Sequence, residues 1–409
     1  MSKSRVLYCI GLGLLAMSTL LSLTFPARAA DKTEIVVGTP LPLTGGIAEN
    51  GKEELWAYEA AVKDVNAKGG IFVKQYNKKL PVRLVVADAE SDPGKAAAAF
   101  ERLVKVDKVD LMLSSCTGNL VMPTAVAADK LHVYYHASSC FPFQWRQLKA
   151  KWSTLYFFEL AQGADIPYEV LNSIPQDKRP KKFALLMEDS LDGRNFDKGL
   201  RESAKKYKYD IVMTEFLGVG SKDYSASILK LKTAGIDSVM VLCADADAIT
   251  FVRQMKEANY NIPFFLGNKG TVSADFYNAL GKDAGYIMSD GFWTEDWPFP
   301  GAKELGQRYR KQFNKDSTAI GFYYALCQAL WVAIEKAGTL DGAKVRQAVL
   351  TTEFKNTVNG DIKYNPDGTA IFPNGVLQWT PDGQRKTVYP FNMSNGYKVA
   401  LAPPWNERK

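Results

Sequence analysis

His132 and His136 are the only histidines in this 409-residue chain. They flank Val133, Tyr134 and Tyr135 in an apolar run that reads as a strand. Alternate strand residues share a face, so His132, Tyr134 and His136 would point the same way, and two imidazoles so spaced can ligate a metal. No third ligand stands nearby in the sequence, which favours satisfied core histidines over a metal pair. Nucleophilic and metal-assisted hydrolysis lack their other parts, since the chain contains neither G-x-S-x-G nor H-E-x-x-H. Gly11-Leu12-Gly13-Leu14-Leu15-Ala16 has the spacing of a dinucleotide fingerprint, but no strand precedes it. No catalytic residue, metal or cofactor is expected.

The N-terminus indicates the compartment. Residues 2–5 carry two positive charges, residues 6–25 are largely apolar, and Ala27-Arg28-Ala29 is a small-residue cleavage site. Residues 1–29 therefore read as a secretory signal peptide, with the mature protein exported from the cytosol. Gly11, Gly13, Ser18, Thr19 and Ser22 interrupt the apolar stretch and argue against a retained anchor. Cys9 lies too early, without a lipobox before it, for a lipoprotein. Four of the five cysteines remain after cleavage: Cys116, Cys140, Cys243 and Cys327. Disulfides persist outside the cytosol, and Cys116 and Cys140 each follow an apolar strand. Neighbouring parallel strands would bring the two within bonding range, so a bridge there stands beside the alternative of free thiols. Cys243 and Cys327 read as buried thiols acting as small apolar groups.

About 380 mature residues exceed one ordinary core and imply two domains. Apolar and charged fractions of 46% and 23% are those of a soluble globular protein. The formal charge of +7 falls to about +4 without Lys3, Arg5 and Arg28, and it is dispersed, so nucleic acid is not an expected partner. Later apolar runs, such as 183–187 and 239–243, are too short to enter a membrane.

A β/α rhythm runs twice along the chain. Strands are expected at 34–38, 82–88, 109–114 and 132–136, with helices at 53–67, 92–106 and 123–130. After a linker near 158–162 the rhythm resumes, with strands at 182–187, 210–216, 238–243 and 264–267 and helices at 193–207, 224–234 and 246–258. This alternation predicts an α/β fold of two doubly wound parallel-sheet lobes, with ligand at the carboxyl ends of the strands.

Several segments carry a family resemblance. Ile35-Val36-Val37-Gly38 leads to Pro42-Leu43-Thr44-Gly45-Gly46, then to Ala60-Ala61-Val62 and Asp64-Val65-Asn66-Ala67-Lys68-Gly69-Gly70-Ile71. Further on come Asp88 with Asp92-Pro93, Asp189-Ser190-Leu191-Asp192-Gly193, Lys222-Asp223-Tyr224-Ser225 and Ala234-Gly235-Ile236-Asp237. In this order and spacing they resemble the type I periplasmic solute-binding proteins of the leucine/isoleucine/valine-binding kind, over nearly the whole mature chain. The resemblance implies two lobes joined by a three-crossing hinge, with an N-lobe of 30–158 and 292–371 and a C-lobe of 159–291 and 372–409. It also implies closure on a small-molecule solute, delivery to the permease subunits of an inner-membrane ABC importer, a monomeric state, and no catalysis or direct insertion into the membrane after cleavage.

Carried over by position, the family's N-lobe ligand loops fall on Thr117, Gly118 and Asn119, and on Ser138, Ser139 and Cys140. Hydroxyls and backbone N–H groups there would hold a carboxylate, aided by the dipole of the following helix. Asn50, beside Glu49, stands where aliphatic amino-acid binders tend to carry an aromatic. In the C-lobe the acid that would hold an α-ammonium is replaced by Lys269, and an aromatic by Asp192. Either Asp192 or Asp245 takes over the ammonium, or Lys269 binds a further anionic group, or Lys269 points to solvent or pairs with Asp245. The expected ligand is a small carboxylate-bearing molecule, an amino acid or an organic or aromatic acid. Phe141, Phe143 and Trp145, and the cluster Phe292, Trp293, Trp297 and Phe299, read as packing or as cleft lining. An amide- or urea-binding receptor and a ligand-sensing regulator of the same fold remain the alternatives.

Overall fold

The computed structural model describes residues 32–218, 220–372 and 374–408; the expected signal peptide lies outside them. The chain opens with β1 (Ile35–Leu41), α1 (Ala48–Ala67), the hairpin of β2 (Ile71–Val73) and β3 (Lys78–Leu80), and β4 (Val82–Asp88). It continues through α2 (Pro93–Lys105), β5 (Leu111–Leu113), α3 (Gly118–Leu131), β6 (Tyr135–Ser138), α4 (Pro142–Leu148) and β7 (Ser153–Tyr156). Local chemistry sets many of these boundaries. Asp92 caps α2 by accepting from the Lys95 N–H at 2.8 Å, with Pro93 at the first helical position.

The second series is α5 (Leu160–Asn172), β8 (Phe183–Glu188), α6 (Leu191–Tyr207), β9 (Ile211–Leu217), α7 (Ser225–Ala234), β10 (Ser238–Cys243), α8 (Asp245–Glu257), β11 (Phe264–Lys269), α9 (Ala274–Leu280) and β12 (Met288–Gly291). The remainder is α10 (Ala302–Phe313), α11 (Ile320–Ala337), α12 (Gly342–Thr351), the hairpin of β13 (Glu353–Thr357) and β14 (Gly360–Lys363), β15 (Thr369–Ala370), β16 (Gly375–Trp379) and β17 (Arg385–Tyr389).

Two large sheets result, ordered β15-β7-β6-β5-β1-β4 and β17-β16-β12-β11-β10-β8-β9. The first is parallel throughout, and the second is parallel except for β16 and β17. Strands β8 and β10 are buried at every residue, which explains their unbroken apolar sequences: helices cover both faces of a parallel sheet. The chain passes between the sheets after β7, after β12 and after β15. Phe157 and Phe158, Phe292, and Phe372 stand at these three passages and pack together, with ring centroids 4.6 to 5.9 Å apart. Trp293 lies against Gly321 of α11, where a Cβ would stand 2.1 Å from its Nε1, so only glycine lets the indole reach the Val358 carbonyl at 2.8 Å. The aromatic cluster around 292–299 is therefore packing at the junction of the sheets. No helix among the described residues is long and apolar enough to cross a membrane.

Candidate ligand-binding cleft

In each sheet the strand order reverses direction beside one strand, at β1 between β4 and β5, and at β8 between β9 and β10. Crevices at the carboxyl ends of such strands are where α/β sheets bind ligands. Beyond β5 the chain runs through buried Ser114, Ser115 and Cys116. Ser114 Oγ accepts from the Ser138 N–H at 2.9 Å and so joins the loops that follow β5 and β6.

Both loops hold residues in left-handed backbone conformations. Thr117 has φ +67° and Ser139 φ +59°. A β-branched residue at such a φ is an outlier of the kind held in place at functional sites. Thr117 is the N-cap of α3, yet its side chain makes no capping bond. The Leu120 and Val121 N–H groups return to the Thr117 carbonyl, while those of Gly118 and Asn119 have no intrahelical acceptor. Ser138 Oγ lies 3.4 Å from Ser139 Oγ. The Cys140 thiol, 3.8 Å from Gln144 Oε1, lies 3.7 Å from where a side chain on Gly118 would begin. This wall therefore gathers hydroxyls and backbone donors at a positive helix end.

The opposite wall is charged. Glu188, Asp245 and Lys269 stand at the ends of β8 and β11 and the start of α8, with Asp192 in the first turn of α6. Gly193 permits this arrangement: its Cβ would fall 2.0 Å from the Glu188 carbonyl oxygen. Ser190 Oγ accepts from the Gly193 N–H at 3.1 Å and donates to Glu188 Oε1 at 2.8 Å. Lys269, at φ +66°, donates from Nζ to both Glu188 oxygens, at 3.0 and 2.8 Å, and from its amide to Asp290 Oδ1 at 3.3 Å.

Burial raises the Asp192 carboxyl above its ordinary value, with Lys269 pulling it down and Glu188 pushing it up. Burial likewise raises the Asp245 carboxyl above its ordinary value, with the Asp275 charge pushing the same way and Lys269 pulling against it. Buried Asp290 is pushed up to about 6. The walls also sense each other. Burial and the Asp192 charge push the Cys140 thiol up to about 12, and Phe141 meets Phe196 of α6 with centroids 5.9 Å apart.

The structure thus brings Thr117, Gly118, Ser138, Ser139 and Cys140 onto one wall and Asp192, Asp245 and Lys269 onto the other. Asn119 is exposed at the start of α3. Asn50 is exposed on the first turn of α1, with no hydrogen bond or ion pair to the other candidates. Lys269 neither points freely to solvent nor pairs with Asp245; its ion partner is Glu188, which sequence reasoning missed. The only local sign of Glu188 was an acid ending an apolar strand. Phe141 and Phe143 stack with centroids 6.0 Å apart, and Trp145 is buried.

Two other expectations meet the structure here. His132 is the left-handed C-cap of α3 at φ +53°, ahead of β6, so it shares no strand face with His136. Buried His136, pushed down to about 3 by loss of water, has Nδ1 2.7 Å from the Tyr134 hydroxyl and Nε2 3.4 Å from that of Tyr364. Among the described residues no group of three or more His, Cys, Asp or Glu is placed to hold a metal. Cys116 and Cys140 are both free and buried, as are Cys243 and Cys327. Cys116 lies near Glu54 and Tyr323, while Cys140 faces Gln144 and Asp192, so the two thiols look to different surroundings.

A family model described as periplasmic binding protein matches residues 34–384. A Leu/Ile/Val-binding protein homolog 7 of Brucella melitensis is 25% identical, across 92% of this chain and 95% of its own length. The branched-chain amino acid transporter substrate-binding protein LivJ of Streptococcus pneumoniae, solved with isoleucine, superposes with a TM-score of 0.75 at 22% identity, covering 88% of this chain and all of that one. A solute-binding protein of an ABC transporter from Rhodopseudomonas palustris BisB5, solved with 3,4-dihydroxybenzoic acid, gives a TM-score of 0.71 at 20% identity, covering 91% of this chain and 98% of that one. With a family match running from β1 through β16 and including both walls of the cleft, the chain belongs to the periplasmic binding protein family, with the type I architecture of its Leu/Ile/Val-binding members.

Proposed function

We propose that the cleft captures a zwitterionic amino acid, its carboxylate against the wall of Thr117, Gly118, Ser138 and Ser139 and its ammonium against Asp192 and Asp245. One observation carries this reading: Lys269, the cation at the centre of the acidic wall, is already held by both oxygens of Glu188. Among the described residues Asp192 and Asp245 therefore have no ion-pair partner of their own, which suits a cationic ligand group. The opposite wall offers neutral donors at a helix N-terminus, which suits a carboxylate. In this reading the lobes close on the solute by hinge motion at the three passages. The protein then hands the solute to the permease of an ABC importer, acting as a periplasmic monomer without catalysis after its leader is removed. The Leu/Ile/Val-binding relatives and the isoleucine complex favour an aliphatic amino acid.

A second reading, an aromatic acid, draws on the stacked Phe141 and Phe143 and on the dihydroxybenzoate-bound neighbour. Calorimetric titration of the mature protein with leucine, 4-methylpentanoate, 3,4-dihydroxybenzoate and short amides separates the possibilities. The amino acid reading expects leucine to bind at least about tenfold more tightly than its deaminated counterpart, the loss of one charge-assisted contact. It also expects Asp192→Asn to erase most of that difference. Tighter binding of either acid, or of an amide, would overturn it.

A further inference from the structure

We propose that Glu188 determines which ligand charge the cleft accepts, by keeping Lys269 from binding an anionic group on the ligand. The inference rests on the amino acid reading above and adds to it the residue that excludes acidic ligands. Strand order makes the pairing possible: β10 lies between β8 and β11, so Glu188 and Lys269 stand on either side of Cys243, which faces Lys269 in register. The burial of the two partners is unequal. The Glu188 side chain is 5% exposed and that of Lys269 45%.

A buried carboxylate strongly requires a counter-charge, whereas a half-exposed ammonium can be hydrated instead. The acid therefore fixes the lysine. Ser190 supplies Glu188 with one neutral hydrogen bond, which holds the carboxylate in place without neutralising it. The Lys269 ammonium is within hydrogen-bond distance of both Glu188 oxygens, and Asp192 and Asp245 lie close enough to feel its charge. A ligand bearing a second carboxylate would meet this wall at its acidic groups. Without the charge on Glu188, Lys269 either turns to that second carboxylate or neutralises Asp192. Both responses shift the cleft toward more anionic ligands. Without Lys269, the uncompensated Glu188 shifts it the other way.

The test is calorimetric titration of the mature wild-type, Glu188→Gln and Lys269→Met proteins with glutamine, glutamate and lysine. Wild type should favour glutamine over glutamate, and Glu188→Gln should narrow or invert that ratio by at least about tenfold. Lys269→Met should move the ratio of lysine to glutamine in favour of lysine. These opposite shifts separate a role in selectivity from general loosening of the fold, and if one variant fails to fold the other still decides. Glu188→Gln with the wild-type ratio, or Lys269→Met with no gain for lysine, would overturn the assignment, as would a wild-type protein that takes glutamate as readily as glutamine. If the wild-type protein instead bound 4-methylpentanoate more tightly than leucine, the amino acid reading itself would be what failed.

Discussion

Glu54 of α1 is fully buried beneath the ligand loops, and its ionisation should make the stability of the protein depend on pH. The Tyr58 hydroxyl donates to its Oε1 at 2.5 Å, while Oε2 has no hydrogen-bond partner. Burial pushes the carboxyl up to about 8 from an ordinary 4.5, opposed only by the bond from Tyr58. Between those values the folded protein holds a proton that the unfolded chain has released, so stability is full below 4.5 and is lost as pH rises through 8. At about 1.4 kcal/mol per unit, this single group should remove on the order of 3 kcal/mol between pH 5 and pH 8. Glu54→Gln keeps the shape and an oxygen acceptor for Tyr58 but cannot ionise. Denaturant unfolding of both proteins at pH 5 and pH 8 reads the difference directly. Wild type should lose about 3 kcal/mol more than the variant across that interval. Parallel losses in the two proteins would refute the claim that Glu54 folds protonated.

Two further outcomes follow from other sites. Arg385 on β17, 3% exposed, joins the second sheet to Asp316 before α11 through contacts of 3.0 and 2.8 Å, lies 4.6 Å from the Trp379 ring centroid, and also donates to the Val272 carbonyl. Asp316 is 37% exposed, which discounts the usual cost of breaking a buried pair to about 2 kcal/mol. Arg385→Ala should therefore lower stability by about that amount and enlarge the radius of gyration of the ligand-free protein in scattering; an unchanged radius would remove the pair from any role in holding the lobes together. All four described thiols should resist Ellman's reagent in the native mature protein and react on unfolding. Reaction of only two after unfolding would reveal a bridge.

Much of the architecture was legible because parallel strands leave strong local marks. Phe183 to Met187 and Val239 to Cys243 read as buried strands, and Asp92-Pro93 as a helix start, from chemistry contained in each segment. The stretch beyond β11 left weaker marks. β15 has two residues, and β16 and β17 join the sheet antiparallel, against the rhythm of the rest. Helix α5 carries Pro167 inside it, and its first residues, 160–162, fell in the segment read as a linker. His132 was misplaced because a left-handed cap at a non-glycine residue carries no composition signal.

The neutral wall was legible from serine, threonine and glycine following apolar strands, together with the family resemblance. The charged wall was half legible. Asp192 and Lys269 stood out as departures from the family pattern, but Glu188 acts through a lysine about 80 residues away, brought near by strand order alone. Cys116 and Cys140 do follow neighbouring strands. Their thiols nonetheless stay free among different neighbours, Glu54 for Cys116 and Gln144 for Cys140, which strand adjacency does not specify.

The most direct test of the central claim is a crystal structure of the mature protein with a bound amino acid. The account predicts the ligand carboxylate within about 3 Å of the Gly118 and Asn119 N–H groups, its ammonium on Asp192 or Asp245, and the Lys269–Glu188 pair intact. A ligand carboxylate bound to Lys269, with Glu188 displaced, would contradict it.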